Sequence, residues 1–154
     1  MSNEALLFWH LAGAFLFVSG GVMATVARVS ALRRDRPSDV AAAMRGARPA
    51  VPLIGLGLVL AVAFGFWLTN RLGIDLGSAW LSGTFALLGW IVVVGAIAGR
   101  QDRRTRELAE QLASTGDAPS AELARRLRDP LNLGLNASLL AATIAIVALM
   151  TWKP

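Results

Sequence analysis

The chain contains no cysteine. That excludes disulfides, thiolate metal sites and cysteine nucleophiles, and leaves the redox compartment undetermined. It has a single histidine, His10, and a single lysine, Lys153. Charge is scarce, at 16% of residues against roughly a quarter in a soluble domain. No Asp, Glu, Lys or Arg lies in the middle of any long apolar run, so the chain lacks the groups on which proton relays, ion pathways and voltage sensors depend. Proline is missing from the interior of those runs, which removes support for the broken helices of transporter sites. There is no Walker loop, no HExxH and no Ser–His–Asp set. The close-spaced glycines of "GLGLVLAVAFG" sit inside an apolar run with no strand before them, so a dinucleotide-binding loop fails on context. These absences argue against a pump or a hydrolase. They leave open a protein whose chemistry is done by a bound cofactor.

What is present is apolar length. The 154 residues, enough for one domain, are 55% hydrophobic, with a mean hydropathy of +0.57. Four runs, at about 5–27, 51–70, 79–99 and 131–151, are each long enough to span a hydrocarbon core of ~30 Å at ~1.5 Å per residue. The pattern predicts an all-α integral membrane four-helix bundle, with loops at 28–50 and 100–130 carrying short amphipathic helices. Residues 1–27 have the wrong flanks for a cleaved signal peptide: Glu4 precedes the run, and Arg28, Arg33, Arg34 and Arg36 follow it. They read as a retained helix.

Fourteen arginines and one lysine raise the isoelectric point to about 11.4. Thirteen of the fifteen lie in the two long loops, and only Arg71 and Lys153 lie on the other side. The positive-inside rule explains this without nucleic acid. It predicts cytoplasmic loops, both termini outside, and a multi-pass protein of the bacterial inner membrane. Trp9, Trp67, Trp80 and Trp152 fall near the outer ends of their helices, as an aromatic belt would. Trp90, halfway along the third run, reads as packing or lipid contact ahead of ligand stacking.

In the first loop, Ser38 is a candidate N-cap for a short helix over 39–47, closed by Gly46 and Pro49. In the second, the third helix is expected to continue to about Ala113. "STGDAPS" turns the chain, Ser120 caps another short helix, and Pro130 suits the first turn of the last one. Leu108, Leu112, Leu123 and Leu127 recur at helical spacing among charges. They fit helices lying on the anionic leaflet, where each basic residue is worth ~1 kcal/mol, or a docking surface for a partner. The abundance of arginine favours the leaflet.

Small residues permit close helix approach in lipid. Gly57, Ala61, Gly65 and Thr69 form one row, and Ala137, Ala141 and Ala145 a second. Gly95 with Gly99, and Gly20 with Ala24, are further candidates. The short "RLGIDLGS" connection predicts that the second and third helices are antiparallel neighbours. Asn136 is expected to hydrogen-bond across helices, for ~0.6–2 kcal/mol.

Three pieces together carry a family resemblance. The first run opens "FWHLAGAFLFVSGGVMATV", a histidine followed by glycines one and three turns later. The third reads "AWLSGTFALLGWIVVVGAIAG". The chain closes "LMTWKP", in which Met150 is followed at the helix end by Lys153 and Pro154. Over essentially its whole length the chain resembles a family of bacterial four-helix integral membrane proteins of unknown function. More distantly, the opening is similar to the copper-resistance protein D membrane domain and to the membrane-bound protoporphyrinogen oxidase type. Those similarities imply copper or haem near the first-helix histidine, which maps onto His10. The chain has no second histidine, and no lysine in its third run to match the oxidase type.

Two functions follow. The first is a non-enzymatic accessory or scaffold subunit without a cofactor, embedded in the lipid bilayer, self-associating or part of a larger membrane complex. The second is a redox protein holding haem b or copper through His10. Met150 would be at similar depth as a second ligand, with Met23 a further candidate. Histidine can be neutral ~7–8 Å inside the first helix, so the alternative to ligation is an interfacial imidazole bonded to water or to the outer loop near Asp75.

Overall fold

In a computed structural model of the chain, residues 1–152 are described. They are helices joined by short links, with no strand among them. The helices are α1 (Asn3–Leu32), α2 (Pro37–Arg45), α3 (Ala50–Arg71), α4 (Ala79–Thr115), α5 (Ala121–Leu127) and α6 (Pro130–Trp152). Four stretches, containing α1, α3, α4 and α6, are long and apolar enough to cross a membrane. The architecture is an all-α, four-helix membrane protein. The Lys153–Pro154 end of the closing motif lies outside the described residues.

The four long helices form two antiparallel pairs, α1 with α3 and α4 with α6. The expectation that the second and third spans are neighbours is overturned, because α3 and α4 scarcely touch. A seven-residue link holds their ends together but does not choose their faces. The faces are chosen by glycine. A Cβ at Gly13 would stand 2.5 Å from the Ala61 nitrogen and 2.9 Å from the Gly57 oxygen, and one at Gly57 would run into the Phe17 backbone. A Cβ at Gly20 would stand 3.0 Å from both the Ala50 oxygen and the Ile54 nitrogen. The row of small residues on α3 therefore meets Gly13 and Gly20 of α1 backbone to backbone, the close approach that drives association where the hydrophobic effect cannot. Gly95 and Gly99 of α4 behave differently: a side chain at either would meet nothing within 4 Å. Ala137 and Ala141 are exposed, and α6 instead buries Asn132 and Ala142.

At ~1.5 Å per residue the 37 residues of α4 reach ~55 Å, far more than a hydrocarbon core needs. Its C-terminal part is a stalk beyond the membrane run. Against it pack α2 and α5, with Val40, Ala41, Met44, Leu123 and Leu127 in one buried cluster with Ala31 and Ala109. The short helices therefore do not lie with their apolar stripes on the leaflet. Each stripe is only two or three residues wide, and the stripes of four elements close on one another to form a cap with its charges outward. Leu108 and Leu112 pack on its edge.

The cap's turns are chemically specific. Ser120 caps α5 as expected, accepting from the Leu123 nitrogen at 3.4 Å. Ser38 does not cap α2. Pro37 takes the first helical position, where its missing N–H is no loss, and Ser38 falls inside the helix. Its backbone N–H and its hydroxyl both donate to the Asp117 carboxylate, each at 2.7 Å. Asp117 reaches across from the turn after α4, where Gly116 (φ 146°) and Asp117 (φ 54°) both adopt positive φ.

Candidate functional site

Two places concentrate polar chemistry at opposite ends of the spans. The first is His10, in the α1–α3 interface. Its Nδ1 lies 2.7 Å from the Ala61 carbonyl oxygen, which can only accept, so Nδ1 carries the proton and donates. The ring lies over Gly65, where an added Cβ would come within 2.7 Å of Nδ1. The glycine row of α3 thus serves twice, admitting the α1 backbone at Gly57 and the imidazole at Gly65. His10 is half-buried. Beside it Trp9 stacks on Phe64, with centroids 6.0 Å apart, and Phe64 on Trp67 at 6.4 Å, so one ring bridges tryptophans of α1 and α3. Phe8 meets Trp9 edge-on.

The other residues of the first-run motif are now intelligible. His10, Gly13 and Gly20 all face α3, so the spacing of the motif is the spacing of a helix interface. Met150 is on α6, which packs on α4, whereas His10 belongs to the α1–α3 pair. Among the described residues no three His, Cys, Asp or Glu side chains are grouped to hold a metal. Trp90 is half-exposed on the α4–α6 pair, beside Leu87 and Ala141 in a shallow apolar groove.

The second place is where the two pairs meet. Arg28, in the last turns of α1, is buried and ion-paired to Asp102 of α4. Its guanidinium also donates to the Leu127 carbonyl at the end of α5, at 3.4 Å. Asn132 of α6 is 2% exposed and closes the group. Its amide fits best with the oxygen toward Arg28, accepting from the two terminal guanidinium nitrogens at 3.1 and 3.0 Å. Asn136, one turn on, donates to the Asn132 backbone carbonyl at 2.8 Å. Four helices are therefore tied by one guanidinium, whose Nε is buried without a partner among the described residues.

Asp102 lies three residues past the apolar run of α4. Burial pushes its carboxyl above the ordinary range, opposed by the charge and the hydrogen bond of Arg28. At the surface of the cap, Asp117 is held below its ordinary value by the hydroxyl and backbone N–H of Ser38. The bond from Arg103 lowers Glu107 in the same way.

In the sequence alone Arg28 and Asp102 are loop charges, and Asn132 has no visible partner. The available signal was Asn132 with Asn136, two amides one helical turn apart at the start of an apolar run. Two polar groups on one face at one depth imply a polar partner opposite.

No curated protein and no solved structure matches the chain. A family model does, over residues 4–154, and its description is "Predicted integral membrane protein (DUF2269)". With nearly the whole chain matched, the protein belongs to this family of integral membrane proteins of unknown function.

Proposed function

We propose that the protein is a non-catalytic scaffold or accessory subunit of the bacterial inner membrane, with the arginine-rich cap in the cytoplasm and both termini outside. One observation carries the first part. The single imidazole is engaged in helix packing, with Nδ1 on the Ala61 carbonyl and its ring over Gly65. A second polar group, Arg28 with Asp102 and Asn132, joins helices to one another. Both are the interhelical bonds that hold membrane proteins together, worth ~0.6–2 kcal/mol each. The thirteen-to-two distribution of basic residues supports the orientation. Alkaline phosphatase fused after the last span tests it. Activity is expected, and activity of a cytoplasm-only reporter at the same position would reverse the orientation.

A second reading has its own observation. Histidines that ligate metals usually donate their other N–H to a carbonyl or carboxylate, which fixes the tautomer. The Nδ1 bond to Ala61 does this, and among the described residues leaves the Nε2 lone pair of His10 without a partner. One imidazole is not a complete site. Met150 lies on the other helix pair, so a haem would draw its second ligand from Met150 by closure of the pairs or from His10 of a second copy. The visible spectrum and copper content of the full chain, purified in mild detergent, decide between the readings. The scaffold predicts no haem band and no stoichiometric copper. A haem band that His10→Ala abolishes, with the fold intact, would install the redox reading in its place.

A further inference from the structure

Where α1 leaves the apolar layer, the cap is not closed against it. A cavity of about 380 Å³ opens between the end of α1 and α5, with Arg34, Asp35 and Arg128 at its polar side and Leu32, Leu123 and Leu127 on its apolar wall. Its size falls in the range of ligand clefts, roughly 300–1,000 Å³.

Its depth identifies what it would meet. The apolar run of α1 ends at 27, and Leu32 is five residues further, or ~7.5 Å. Arg128 precedes the apolar run of α6 by three residues, or ~4.5 Å if the helical rise is extended back to it. The cavity therefore begins in the layer of ~5–8 Å occupied by lipid headgroups on each side of the hydrocarbon core and extends to Arg34 at its outer edge. Leu123 and Leu127 back the cavity from the buried cluster, and the two arginines line its exposed side.

Its charges are uncommitted. The ion pairs among the described residues engage Arg28, Arg48, Arg103, Arg106 and Arg126, and none engages Arg34 or Arg128. Both are exposed. The apolar faces of α2 and α5 are turned inward. They offer no apolar anchor to the bilayer, so contact between the cap and lipid falls to its charges. With two guanidiniums and one carboxylate, the lining is net positive.

We propose that this cavity is a binding site for the phosphodiester headgroup of an anionic phospholipid, held between Arg34 and Arg128. Asp35 is the one group that opposes the anion, and it weakens binding. The site rests on the reading of the long helices as membrane crossings and is independent of which side faces the cytoplasm.

The test is native mass spectrometry of the full chain in mild detergent, titrated with phosphatidylglycerol, phosphatidylcholine or inorganic phosphate. An arginine at headgroup level is worth roughly a factor of five. The double variant Arg34→Gln with Arg128→Gln should therefore weaken the first phosphatidylglycerol by roughly 25-fold. The matched pair Arg33→Gln with Arg125→Gln removes the same charge from outside the cavity and should leave that first binding event nearly unchanged. Asp35→Asn should tighten it, and phosphatidylcholine should bind the native chain more weakly. Equal losses in the two double variants would mean diffuse attraction and overturn the site. Displacement of the lipid by millimolar inorganic phosphate would make the ligand a free anion and overturn the lipid assignment. Flotation of each variant with liposomes separates these results from failure to enter a membrane, which would sink the membrane reading itself.

Discussion

Asp102→Asn should be the most destabilising conservative change in the molecule, and more costly than Arg28→Gln. The two sides of the pair are unequally buried, with the Arg28 side chain 7% exposed and that of Asp102 32%. Arginine cannot shed its proton, so removing Asp102 leaves a buried cation with only the neutral oxygens of Asn132 and Leu127. Breaking a buried pair from one side costs about 3–5 kcal/mol, and the partial exposure of Asp102 places this case near 3 kcal/mol. At this chain length that is a fall in melting temperature of roughly 6–12 °C. Arg28→Gln leaves a carboxylate that can hydrate or take a proton, at a cost of about 1–2 kcal/mol. The double variant puts two amides opposite Asn132 and should be more stable than Asp102→Asn alone. Reversible unfolding in detergent of the native chain and the three variants closes the cycle. Equal single losses that add in the double variant would show that the guanidinium is not buried against the carboxylate, and the reasoning would fail.

Other expectations follow from the same geometry. Gly57→Ala should destabilise by about 1–3 kcal/mol, because its Cβ meets the Phe17 backbone, which cannot step aside. Gly55→Ala, two residues away in open space, should be neutral or stabilise by roughly 0.4–1 kcal/mol, and thermal melts of the two decide it. His10→Ala should cost about 1 kcal/mol by the same melts through loss of the bond to Ala61. Asp117 has a lowered pKa, so its contribution to the cap is complete above the ordinary carboxylate value of 3.8 and is lost as pH falls through the lowered one. Ser38→Ala should flatten that acid limb of the stability profile, and an unchanged limb would remove Asp117 from the account.

The four spans were legible because length and hydropathy are local. So were the α4 stalk, signalled by leucines continuing at helical spacing past the last arginines, and the cap at Ser120. The row Gly57–Ala61–Gly65 was legible as a smooth face. Its partner was not, since a connection as short as 72–78 suggested α4 and only the depth of Gly13 and Gly20 along α1 selects α3. His10 was readable as the one imidazole near the start of the first span. That it would lie over Gly65 needed both helices. Ser38 looked like a cap because its true cap, Asp117, is 79 residues away. Arg28 and Asp102 were hidden by the topology signal, which accounts for any arginine at a span end without asking what faces it.

The absence of cysteine gives the pairing of the spans a direct test. Gly20→Cys with Ile54→Cys places two thiols across the α1–α3 contact, where a Cβ at 20 would stand 3.0 Å from the Ile54 nitrogen. That is within reach of a disulfide, whose Cα atoms are about 4.4–6.8 Å apart. Phe66→Cys with Phe85→Cys tests the α3–α4 alternative. Oxidation of each variant in native membranes should cross-link the first pair readily and the second hardly at all. Efficient cross-linking of 66 to 85, with none of 20 to 54, would contradict the two-pair architecture on which both polar sites depend.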